Sequence, residues 1–339
     1  MSDLLALAAA NPIPVQIVKG SFLAAMGVAA IGAGIHALLR RDLPGEEPIV
    51  VIEPPAITPP PFPVEPTANP SPYSPPAGMS PEAVAAMTRP GEDLHRIASP
   101  GVTTRWYHRV DLIVAGFLFL FFFFQAVATA SMPPGSEVKY TPEALIGAMV
   151  FQFGLAGIVI AVMFGRVRPA PWLGLRWPKW PAALLIGPGC VLLMWALMFA
   201  LDRAGYMKWS ESLGGGAQDT VKLLKESKDP VILGLMALIA VVVAPLCEEI
   251  IFRGYLYPVA KRFAGAWPAA IFSALVFGAA HGNLTALLPL FLLALLLVWL
   301  YEKTGSLWST IAVHFCFNGA TVLIQFIVRY YNIPVDPGM

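Results

Sequence analysis

Apolar stretches of membrane-crossing length recur along almost the whole of this chain, and that recurrence limits its fold more than any other feature. Eight can be read directly: Val15 to Leu39, Val110 to the polar residues before Pro133-Pro134, Glu143 to Phe164, Pro181 to Leu201, Val231 to Leu246, Pro268 to Ala280, Leu284 to Tyr301 and Leu307 to Val328. A helix needs about 20 apolar residues to cross a bilayer. The expected fold class is therefore all-α, a polytopic transmembrane helical bundle of about eight transmembrane helices. Composition agrees, because 57% hydrophobic and only 13% charged residues exclude an ordinary soluble domain. A net charge of +1, with no long lysine or arginine run, excludes a nucleic-acid surface. Cys190, Cys247 and Cys316 lie in apolar stretches without paired or zinc-finger spacing, so no disulfide framework or structural zinc site follows.

The remaining sequence divides the chain. Residues 1–42 lack the basic start of a secretory signal and read as a retained N-terminal transmembrane anchor. Residues 43–104 form a proline-rich cytoplasmic linker, in which Pro59-Pro60-Pro61-Phe62-Pro63 and Pro70-Ser71-Pro72 favour extended polyproline conformation and disorder. Both a plain spacer and a ligand for a proline-recognising partner fit it. Residues 105–330 hold the main transmembrane domain, and 331–339 a C-terminal tail. Arg40-Arg41, Arg105, Arg109, Arg166, Arg168, Arg176, Lys179 and Lys261-Arg262 all fall on one side of the eight-span arrangement, which makes that side cytoplasmic. A rival basic group, Lys208, Lys222, Lys225 and Lys228, falls in the outer loop between the fourth and fifth spans. Within that loop Thr220 to Lys228 fits a short amphipathic helix at the interface.

Three ionisable residues interrupt this apolar pattern: Glu248, Glu249 and Arg253 continue the run from Val241 to Cys247. Each such charge at a helix centre costs about 2.5 to 3.5 kcal/mol before pairing. Glu249 and Arg253 are spaced i to i+4 with the acid first, the favourable order for an ion pair. Glu248, about 100° round the helix, is left to meet other helices. Pro245 lacks a backbone donor and is expected to kink the helix and free a carbonyl. A single carboxylate here would read as hydrated at the interface. Two further helices also carry polarity, however. His281 ends the run from Phe272 to Ala280 and shares a face with Phe277, while His314 and Asn318 share a face of the last span. A lone membrane histidine is ordinarily an interhelical hydrogen bond; three polar faces able to converge point to a site.

With these motifs the chain resembles the family of CAAX proteases and bacteriocin-processing or immunity proteins, whose type II CAAX prenyl protease-like members carry E-E-x-x-x-R, F-x-x-x-H and H-x-x-x-N or D. They stand here as Glu248-Glu249-Ile250-Ile251-Phe252-Arg253, Phe277-Gly278-Ala279-Ala280-His281 and His314-Phe315-Cys316-Phe317-Asn318. The resemblance covers roughly Glu143 to Val328. It implies an intramembrane endopeptidase acting on a lipidated or membrane-associated, CAAX-like peptide, in the bacterial inner membrane, with its cavity open to the cytoplasm. The catalytic residues it implies are Glu248 as general base, His281 orienting water, Glu249 and Arg253 as a supporting pair, and His314 and Asn318 as donors to the oxyanion.

The favoured mechanism requires no cofactor. A zinc-assisted version stays open, with Glu248, His281 and His314 as ligands and water as the fourth, although the H-E-x-x-H helix is absent. Cys247 with His281 would make a chemically sound dyad, but adjacent helical positions point apart. The expected partners are membrane lipid and the peptide substrate. The alternatives to catalysis are a non-catalytic bacteriocin-immunity or scaffold protein, and an ion or proton transporter, for which no inverted repeat is visible.

Overall fold

Prolines start the helices of this chain and side-chain caps finish the job. Pro142 and Pro230 occupy first-turn positions, where the missing N–H removes no intrahelical bond. Just ahead of them Thr141 accepts from the Ala144 N–H, and Asp229 accepts from the Val231 N–H at 2.8 Å. The computed structural model describes residues 12–40, 101–104, 106–132, 140–175, 180–216 and 218–331, and among them there is no strand. The proline-rich linker (apart from 101–104), the C-terminal tail beyond Tyr331, and Arg41, Arg105, Arg176 and Lys179 of the basic flanks lie outside the described residues.

The main helices are α1 (Pro12–Arg40), α2 (Asp111–Ala130), α3 (Pro142–Phe164), α4 (Ala183–Arg203), α5 (Pro230–Ala264), α6 (Ala266–Ala280), α7 (Leu284–Thr304) and α8 (Leu307–Tyr330). Seven are long and apolar enough to cross a membrane; α6, with 15 residues, is not. At 1.5 Å per residue α6 is about 22 Å long, short of the hydrocarbon thickness. Among the described residues the chain is thus an all-α integral membrane bundle with seven helices of spanning length, the shorter apolar α6, and further short helices such as Tyr206–Ser212 and Asp219–Glu226. The fifth span also differs from expectation: it runs 35 residues to Ala264 and does not stop at Leu246. Glu248, Glu249 and Arg253 therefore lie inside a spanning helix. The helix tolerates Glu249 and Arg253 because they are paired with each other.

Most spans bury little of themselves against protein, as suits helices whose outer faces meet lipid. The exception is α7, half of whose most apolar window is buried, which makes it the central helix. The first span packs into the same core: Val18, Phe22 and Ala25 are fully buried, and the Phe22 ring meets Phe119 and Phe123 of α2 edge-on at 5.3 and 5.4 Å.

Two polar knots fix one end of the bundle. The fully buried Asp111 carboxylate accepts two hydrogen bonds from Arg166 at 2.6 Å each, one from the Tyr255 hydroxyl at 2.7 Å and one from the His108 N–H at 2.7 Å. Four donors offset the desolvation of one charge and tie α2, the end of α3 and α5 together. In the second knot Glu302 of α7 accepts from Lys261 and Tyr257 of α5, both at 2.6 Å, and from the Val102 N–H at 3.2 Å.

Candidate active site

The site is built on α5, which is not a plain α-helix. It contains two π-helical turns, Ile239–Val243 and Phe252–Leu256, with the α-helical segment Ala244–Ile251 between them. In the first, the Ala244 N–H reaches five residues back to the Ile239 carbonyl. Next in that register comes Pro245, which has no N–H, so the Ala240 carbonyl loses its donor. Asn318 of α8 supplies one, its amide nitrogen lying 2.8 Å from Ala240 O.

A second π turn lies thirteen residues on, and there the carbonyl capped from outside the helix is the one four residues before the proline. The Tyr257 N–H reaches back to Phe252 O, Pro258 follows, and the Gly254 carbonyl takes the Tyr107 hydroxyl at 2.6 Å. Burial pushes the Tyr107 phenol well above its ordinary pKa, so it stays a donor, and it accepts in turn from the Trp172 indole at 2.8 Å. Asn318→Leu should leave Ala240 O without a partner and cost about 1–3 kcal/mol. A lowered thermal midpoint in detergent would show it.

Between the π turns the two neighbouring glutamates have opposite surroundings. Glu249 is fully buried, and its Oε1 accepts from Arg253 Nη1 at 2.8 Å and from His314 Nδ1 at 2.9 Å. Arg253 is equally buried, with its guanidinium 4.5 Å above the Phe277 ring centroid. That stacking supplies a second attraction to a cation removed from water. Glu248 is open, with a quarter of its side chain exposed, and its Oε2 lies 3.9 Å from His314 Nε2. His314 therefore stands between the two carboxylates, bonded to one and facing the other.

Hydrogen-bond chemistry fixes both imidazoles. The Glu249 carboxylate carries no proton to give, so His314 Nδ1–H donates to it. The Phe277 carbonyl can only accept, so His281 Nδ1–H donates to it at 2.9 Å. Each neutral ring then offers Nε2 as an acceptor. Both rings border Phe277, with centroid separations of 5.3 Å for His281 and 5.9 Å for His314.

All six residues singled out in the sequence are thus placed. Glu249, Arg253 and His314 are in direct contact, Glu248 adjoins them across His314, and His281 joins through Phe277. Asn318 sits one turn further along α8 and is engaged with Ala240 instead of with the other five. Sequence reasoning assigned no role to Phe277, which touches Arg253 and both histidines; its i to i+4 spacing from His281 was the available signal. Among the described residues no group of three or more His, Cys, Asp or Glu side chains comes together to hold a metal ion.

Comparison with known proteins places this constellation. Residues 230–320 match the family model "Type II CAAX prenyl endopeptidase Rce1-like". The chain is also 30% identical over 91 residues to YdiL of Bacillus subtilis (strain 168), named there as a candidate membrane peptidase. The similar region is 27% of this chain and 37% of YdiL, so the chain covers just over a third of that relative's length. No solved structure matches the chain. The matched segment contains both π turns and every residue of the constellation, so the similarity to the Rce1-like type II CAAX prenyl endopeptidases falls on residues 230–320, the part of the chain that carries the site.

Proposed function

We propose that this protein is an intramembrane peptidase that hydrolyses a peptide bond in a membrane-associated or lipidated substrate, with Glu248 activating the water. The observation that carries the proposal is the asymmetry of two adjacent carboxylates. Glu249 is closed off and committed to Arg253 and His314, while Glu248, with the same chemistry, is open and faces His314 Nε2. A pair of helices that only needed locking together would have no use for the second, half-open acid.

Glu248 takes a proton from water as the hydroxyl attacks the scissile carbonyl, and it later returns a proton to the leaving amine. His281 Nε2 accepts the water's other O–H and sets its direction. His314, once protonated, donates from Nε2 to the developing oxyanion. One Asn318 amide N–H holds Ala240 O, which leaves the other for the oxyanion. Arg253 keeps Glu249 in place. The membrane match and the lipid-facing bundle support a lipidated or membrane-anchored peptide as substrate. The one-sided basic residues support an opening toward the cytoplasm, in keeping with a bacterial inner-membrane location.

The test is to incubate the purified full chain in nanodiscs with farnesylated and diacylated quenched peptides in H₂¹⁸O. Cleavage should release a new carboxylate carrying one ¹⁸O from solvent, read by mass spectrometry. Intact peptides after prolonged incubation with folded protein would overturn the proposal.

A further inference from the structure

The helix that carries His281 is too short to cross a bilayer, and other parts of the chain hold the turn that ends it. α6 starts at Ala266, just after Lys261 and Arg262 at the basic end of α5, and His281 is its last cap. The ring bonds through Nδ1 to Phe277 O of the same helix, which fixes it relative to α6 but not relative to Glu248 on α5. Its place over the site therefore depends on what holds the turn His281-Gly282-Asn283.

On one side the turn rests on α2. Gly282 has a φ of +61°, and a Cβ there would lie 2.7 Å from the Thr129 side chain and 3.0 Å from Ala126 O, so only glycine fits. On the other side lies the segment from Tyr206 to Gly216, formed by the short helix Tyr206–Ser212 and three glycines. The Tyr206 hydroxyl donates to Leu284 O at 2.8 Å. Ser210 is fully buried, and its hydroxyl donates to Met207 O at 2.8 Å, so the Thr285 hydroxyl 3.0 Å away donates to Ser210 Oγ. Asn283 completes the fastening with both ends of its amide. Its Oδ1 accepts from the Ala286 N–H at 2.9 Å and caps α7, while its Nδ2 donates to Gly216 O at 3.0 Å.

We infer that Asn283 is a positioning residue for His281: by tying the turn to α7 and to the Tyr206 to Gly216 segment at once, it holds the imidazole where it directs the attacking water. The inference rests on the peptidase reading. Serine or aspartate would cap α7 as well as asparagine does, but neither has an NH₂ group to reach across to the loop. The second hydrogen bond, two residues from His281, is what the cap alone does not need.

The full chain in nanodiscs is compared with Asn283→Ser, which keeps the cap and loses the bond to Gly216, and with Asn283→Ala, which loses both. A farnesylated quenched peptide reports kcat and KM. Asn283→Ser should lower kcat about tenfold with KM within about twofold of wild type, because a displaced water slows the chemistry and not the binding. Its thermal midpoint should stay level, and hydrogen exchange across 205–216 should quicken. Asn283→Ala should show the same kcat with a midpoint lowered by a few degrees. In a His281→Ala background, Asn283→Ser should cost nothing further, since the group it positions is gone. An equal loss in both backgrounds, a raised KM at unchanged kcat, or wild-type kcat in Asn283→Ser would each overturn the inference. Unchanged exchange across 205–216 would overturn it too. If the wild type leaves the peptide intact while exchange still reports the fastening, it is the peptidase reading that falls, and the positioning role falls with it.

Discussion

Glu248→Gln should abolish measurable turnover of a membrane-anchored peptide, a loss of about 10²–10⁴-fold, while leaving the fold intact. The substitution keeps shape and hydrogen-bonding capacity but removes the ability to take a proton from water. Because Glu248 is partly exposed and makes no ion pair closer than its 3.9 Å approach to His314, little stability depends on its charge. The measurement is the cleavage rate in nanodiscs beside the thermal midpoint, with His281→Ala as a companion that should lose rate through misdirected water. Rates in Glu248→Gln within a few-fold of wild type would remove the proposed base from the mechanism. The same substitution distinguishes the scaffold alternative, for which cellular rescue by Glu248→Gln would equal rescue by wild type.

Arg253→Ala should have the opposite profile, with stability lost first. Arg253 and Glu249 are both fully buried and 2.8 Å apart, and removing the cation leaves an ionised carboxylate held only by His314. Breaking a buried pair from one side costs about 3–5 kcal/mol. Arg253→Lys should recover only part of that, since a point charge on a flexible stem does not stack on Phe277 as the planar guanidinium does. Replacing both partners, Glu249→Gln with Arg253→Met, should restore most of the stability, because no uncompensated charge remains. Activity should stay low in the double variant, since His314 then loses the carboxylate that orients it. A thermal midpoint for Arg253→Ala equal to wild type would show that the pair contributes nothing to the fold.

The contrast between these two glutamates shows what the sequence could carry. Spacing within one helix was enough to pair Glu249 with Arg253, because i to i+4 geometry is local and independent of the rest of the fold. It was also enough to put His314 with Asn318 and Phe277 with His281 on shared faces. It could not say which groups would meet across helices. Asn318 was expected at the oxyanion, and nothing along the chain announced that its amide would also reach Ala240 O, 78 residues away. Pro245 announced a free carbonyl, but only the π register decided that Ala240 would be the one. The end of α5 was misplaced for a related reason: a hydropathy reading stops where charges begin, and these charges are neutralised by partners that the reading does not see. The Asp111 knot lay further out of reach, joining Tyr255 and Asp111 across 144 residues. Apolar length, by contrast, was legible in the spans other than α5 and α6, since it depends only on local composition and on the thickness of hydrocarbon to be crossed.

The two π turns in α5 have a consequence for how this helix can change through evolution. Each holds one residue more than an α-helical path would need, so each sets the rotation between the stretches on either side. Substituting a side chain in Ile239–Val243 alters one contact. Deleting a residue there restores a regular helix and turns Pro230–Leu238 by about 100° relative to Glu248, moving Met236 off its packing face. Members of a lineage that keep the site should therefore vary more in residue identity across Ile239–Val243 than in residue number.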